Sequence, residues 1–102
     1  MFNNPRYMTK AISEQLPLGL QIILWNLIDE LRKTPQQLDY LQIFTLSEGR
    51  NSDGTTYQQI VHAQEVPSYQ RTVTIASTKP ISCKIFCIDD KTHSTMLFAD
   101  EY

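Results

Sequence analysis

Cysteine and histidine are scarce, with two of each in 102 residues. A four-ligand zinc site would need every one of them. There is no CxxC, HExxH, GxSxG, GxGxxG or GxxxxGK[ST] pattern, so the familiar metal, hydrolase and nucleotide motifs are missing. Excess positive charge is missing too. Nine basic and eleven acidic side chains give a net charge of −2, which counts against a general nucleic-acid or membrane-surface binder. The start, Met1 to Tyr7, has no basic region followed by an apolar one, so no secretory signal is visible. The most apolar stretch, 16–31, is interrupted by Gln21, Asn26, Asp29 and Glu30, and fails as a membrane span. No repeat or low-complexity run is present. The expected setting is the cytosol, and neither metal nor cofactor is expected.

What is present suits one globular domain covering 1–102. Hydrophobic residues make up 41% and charged residues 20%. At this mass folding buries about 65% of the chain's surface, enough for a core without metal or disulfides.

The order of elements follows from periodicity. Residues 6–12 read as a short strand. Leu16-Pro17 then announces a helix, since proline suits the first turn. That helix is expected from Pro17 to Lys33, with Arg32 and Lys33 suiting its C-terminal dipole. Thr34-Pro35 stops it. Beyond it the period changes from 3.6 to 2, giving strands at 39–47, 57–65, 70–76, 82–88 and 94–99. Short turn-like separators favour antiparallel neighbours. The expected fold is α+β, one principal helix packed on a strongly curved antiparallel β-meander of five to six strands.

Strands 57–65 and 70–76 carry polar residues on one side and read as edge or one-sided strands. In the first, His62 among glutamines reads as a surface histidine. Strands 82–88 and 94–99 are apolar on both faces, and so should be central. One helix covers one face of a sheet. The other face needs the sheet's own curvature, the N-terminal segment or another subunit.

The helix has two apolar faces. Leu16, Leu20, Ile23, Leu24, Leu27, Ile28 and Leu31 form the core stripe, within an arc of about 140°. Leu18, Ile22 and Trp25 cluster nearly opposite. An aromatic anchor with aliphatic neighbours is a common hot-spot composition, so this trio is the candidate partner-binding site. The alternative is that the N-terminal segment, through Phe2 or Tyr7, folds over it.

Candidate chemistry is thin. Cys83 and Cys87 share a strand face about 13 Å apart, too far for a disulfide or a common metal ion, and read as buried thiols. Asp89, Asp90 and His93 are the one local group of catalytic residue types, and Asp-Asp-Lys-Thr is also ordinary turn chemistry. Glu65 and Tyr69 flank a bend at Pro67, and Asp100-Glu101-Tyr102 makes a small acidic tail. Arg6, Lys10, Arg71, Lys79 and Lys84 with Tyr7, Tyr57 or Tyr69 would outline a single-strand-binding sheet face, but the cations are few and acids are interspersed.

Several stretches together resemble a known family. They are Glu14-Gln15-Leu16-Pro17-Leu18, Leu24-Trp25-Asn26-Leu27-Ile28-Asp29 and Asp39-Tyr40-Leu41-Gln42. With them go Gln64-Glu65-Val66-Pro67, Lys84-Ile85-Phe86, Ile88-Asp89-Asp90, His93-Ser94-Thr95-Met96-Leu97 and Glu101-Tyr102. The chain resembles a domain-of-unknown-function family of small, about 100-residue cytosolic proteins from Gram-positive bacteria. The resemblance implies one domain and no particular activity. The leading functional expectation is a non-enzymatic protein-interaction module, with self-association as a homodimer one form of it. A small hydrolase or metal-dependent enzyme using Asp89, Asp90 and His93 stands second, and a single-strand nucleic-acid binder third.

Overall fold

A computed structural model describes residues 1–102. The chain runs through β1 (Arg6–Met8), α1 (Lys10–Gln15), α2 (Leu18–Arg32), β2 (Leu41–Arg50), β3 (Thr56–Gln64), β4 (Tyr69–Ala76), β5 (Cys83–Asp89) and β6 (Ser94–Phe98). A 3-10 turn at Ala99–Glu101 ends it. The strands form one six-stranded sheet in the order β1-β6-β5-β2-β3-β4. Every pairing is antiparallel except β1 with β6. The α+β class is therefore as the sequence implies. No helix is long and apolar enough to cross a membrane.

Two local departures have clear causes. The expected strand at 6–12 stops at Met8. The Thr9 hydroxyl accepts the Ile12 N–H, a side-chain cap that starts α1 and turns Ile12 into the core, where it is fully buried. The chain also leaves β4 by a six-residue segment, 77–82, and passes the ends of β3 and β2 before entering β5. Buried Gln58 holds that crossing segment. Its carbonyl accepts the Ile81 N–H at 2.8 Å, and its amide donates to the carbonyls of Ile81 and Ser47, each at 3.0 Å.

One face of the sheet carries both helices. Phe44 and Leu46 of β2, Ile60 of β3, Ile85 and Cys87 of β5 and Met96 of β6 meet Ile12, Leu16, Leu24, Leu27 and Ile28. Phe2 enters the same core, fully buried and at φ 60°, a conformation that L side chains seldom adopt. Two side chains hold it there. Its N–H donates to Asp89 Oδ2 at 2.6 Å, and its carbonyl accepts from Arg6 Nη2 at 2.9 Å. Burying such a ring contributes roughly 1.5–3 kcal/mol, enough to hold the strained backbone.

The expectation of a wet face on 57–65 is overturned. Gln58, Ile60, His62 and Gln64 all point at the helices and are buried. Gln58 and Gln64 serve as partners for backbone groups of the neighbouring segments, and His62 pairs with the Gln42 side chain. Tyr57, Gln59, Val61 and Ala63 alternate with them on the other face.

Candidate functional site

The helix trio is divided by the structure. Leu18 and Ile22 are 66% and 51% exposed. Trp25 is half-buried, and the Arg6 guanidinium lies 4.8 Å from its ring centroid. Arg6 is fixed in turn by both oxygens of Asp29, at 2.5 and 3.0 Å. The hydrogen bond from Arg6, against the cost of burial and with help from Arg32, holds the Asp29 carboxyl below its ordinary range. A β1 side chain therefore covers part of Trp25, while its two aliphatic neighbours stay open.

Asp90 and His93 meet at the hairpin turn, and Asp89 does not join them. Asp89 is buried and occupied, accepting from Phe2 N–H, Lys91 N–H at 2.7 Å and Asn4 Nδ2 at 3.0 Å. Burial pushes its carboxyl upward, and these donors outweigh it and hold the pKa below the usual carboxylate value. Asp90 Oδ1 accepts the N–H groups of Thr92 and His93 at 3.1 and 2.9 Å, the work of a turn residue. Its hydrogen bonds, that from His93 first, lower its pKa. His93 stands 3.1 Å from Asp90 Oδ2 and edge-on to Tyr7. Asp89 thus anchors the first residues of the chain, and no substrate-sized space faces its oxygens. No group of three or more histidine, cysteine or acidic side chains is placed to hold a metal ion.

His62 is the titratable group that sequence patterning misplaced. It is 1% exposed, stacked on Phe44 at 4.5 Å and edge-on to Tyr69 at 5.6 Å. Gln42 Oε1 lies 2.7 Å from His62 Nε2. The Gln42 amide is already committed to Gln64 Oε1 and the Asp39 carbonyl, so its oxygen must be the acceptor and His62 Nε2 carries the proton. Nδ1 is left buried with no partner. Burial, with a smaller contribution from Arg71, lowers the pKa to about 4. His62 is a neutral core residue ending a chain of amides. The signal available in sequence is that His62 shares its alternation phase with Ile60 as well as with Gln58 and Gln64, which places all four on the buried face.

Cys87 is fully buried and Cys83 half-buried, both as free thiols. Burial pushes both thiols up, away from the reactive thiolate. Of the five cations proposed for a nucleic-acid face, Arg6 is spent on Asp29, Arg71 on Glu30 at 2.5 Å and Lys10 approaches Glu14 at 3.8 Å. Arg6, Arg32 and Lys33 also line an open cleft of about 550 Å³ around Asp29, beside Asn3 and Asn4.

The feature that sequence reasoning anticipated only as a need is the face of the sheet opposite the helices. Cross-strand partners there form a continuous row, Ala63 to Ile43 to Phe86 to Leu97, across β3, β2, β5 and β6. Leu41 and Ile88 make the neighbouring row. All six are partly exposed, and no helix lies on them. Tyr102 stands edge-on to Phe86 at 5.8 Å, at the margin.

Comparison with known proteins places the chain. A family model described as "Staphylococcal protein of unknown function (DUF960)" matches residues 5–101. The chain belongs to this family. The resemblance drawn from Glu14–Leu18, Leu24–Asp29 and the later stretches is thereby confirmed. A crystal structure of a protein of unknown function from Enterococcus faecalis is similar at 28% identity, with a TM-score of 0.75. The match covers 97% of this chain and 91% of that one. No curated protein matches.

Proposed function

We propose that this family member is a small non-enzymatic interaction module whose binding surface is the uncovered sheet face. The observation that carries the reading is the row Ala63–Ile43–Phe86–Leu97, apolar across four adjacent strands, partly exposed and without a covering layer. Strands that are apolar on both faces ordinarily lie between two layers, and this fold supplies one. Around the row stand Gln70 and Thr72 of β4, Thr45 of β2 and Thr95 of β6, giving the apolar centre and polar rim of a recognition surface. Leu18 and Ile22 on α2 form a smaller second patch.

Affinity capture from the native cytosol tests the reading, with Ile43→Lys as the control. The expected result is a protein, another molecule of this chain included, retained by the wild type and lost by the folded variant. Equal retention by both, or nothing retained by the wild type, would overturn it.

A further inference from the structure

We infer that the occupant of this sheet face is a second copy of the chain, packed face to face about a two-fold axis. The inference rests on the interaction reading above and names its partner.

Charge selects the partner. The outward-facing positions of the six strands run from Tyr7 on β1 through Thr95 and Leu97, Lys84, Phe86 and Ile88, and on to β2, β3 and β4. Lys84 is the one charged residue among them, in a chain with nine basic and eleven acidic side chains. A partner recognised by charge would find almost nothing to pair with. An equally neutral apolar face meets no such obstacle, and this face itself qualifies. Two-fold packing sets each patch on its own copy, so like charges matter most, and here they reduce to Lys84, beside Thr45 near the start of β5. Asp100, just after β6, lines the same shallow cleft as Lys84, so a carboxylate stands near the one cation.

Size agrees. Six strands at about 4.8 Å spacing span about 24 Å, and the central strands run about 24–34 Å at ~3.4 Å per residue. The footprint is on the order of 700 Å², close to the roughly 800 Å² per partner of a stable complex. The molecule is thin in one direction, 45 × 32 × 20 Å, as a single sheet with one helical layer must be. Joining two such sheets at about 10 Å, strands some 30° from aligned, yields a helix–sheet–sheet–helix sandwich.

Sedimentation equilibrium from micromolar to submillimolar protein tests the inference on the wild type, Phe86→Lys, Thr45→Arg and the double variant Leu18→Lys with Ile22→Lys. Thr45 is exposed and polar, so Thr45→Arg blocks the face without removing apolar packing if Phe86→Lys does not fold. The expected result is a wild-type dimer whose melting temperature rises with concentration, monomeric face variants, and a helix double variant that still dimerises. A wild type that stays monomeric throughout, or a dimer that survives Thr45→Arg and is lost in the helix double variant, would overturn self-pairing. In the monomeric case, a different protein captured by the wild type and lost with Ile43→Lys would leave the interaction reading standing.

Discussion

Gln21, Gln42, Gln58 and Gln64 are all buried, and each serves a backbone group that would otherwise go unpaired. Glutamine is ordinarily a surface residue, so the alternation in 57–65 was read inside out while its period was correct. Periodicity fixes which residues share a face. Which face is buried depends on the loops whose N–H and C=O groups must be satisfied, and those loops are distant in sequence. Asp89 is the parallel case: a turn residue by its neighbours, an anchor for Phe2 by its contacts. Asp89→Ala is expected to cost roughly 1–3 kcal/mol by leaving the Phe2 N–H buried and unpaired, seen as a lower urea midpoint. His62 sets a pH dependence. Its folded pKa, about 4, lies below the unfolded value of 6.5, so between them the unfolded chain binds more protons. Stability is full above pH 6.5 and falls as pH drops toward about 4, by up to about 3 kcal/mol. In His62→Phe, urea titrations across that window should lose this slope.

At the scale of elements, α2 and the five later strands were legible because each carries a long, unmixed period. The helix was expected at 17–33 and runs Leu18–Arg32. The strand pairing order was not legible. The 77–82 segment has no period, and its path past β3 and β2 is fixed by Gln58 and by Thr56, whose hydroxyl donates to the Ser77 carbonyl at 2.6 Å. Gln58→Leu keeps the side chain's bulk and removes the clamp. Limited proteolysis should then cut within 77–82 at a rate the wild type does not show, while the helical circular dichroism signal is retained. At β2, the Tyr57 ring lies where a Cβ on Gly49 would fall. Gly49→Ala must displace that ring, and a shift in Tyr57 fluorescence or aromatic NMR signals is the expected readout.

At the scale of the whole molecule, the composition asked for more cover than the chain supplies. Two helices and Phe2 close one side of the sheet, and the other side keeps its apolar row open. The candidate site followed the same course. The helix trio was legible because three residues on one helix suffice to see it. The sheet row needs four strands in register, and no single stretch of sequence displays it.

The parallel pairing of β1 with β6 sets Arg6 beside Ser94 and Met8 beside Met96, bringing together opposite ends of the chain. A contact between segments so far apart is slow to find, because nearly the whole polypeptide must be looped before it rewards closure. The β2–β3–β4 hairpins can form without it. Phe2 and β1 are therefore expected to dock after the rate-limiting step. In stopped-flow refolding and unfolding, Phe2→Leu should speed unfolding and leave the folding rate almost unchanged. The first few residues then act as a latch, the last part of the molecule to close and the first to open.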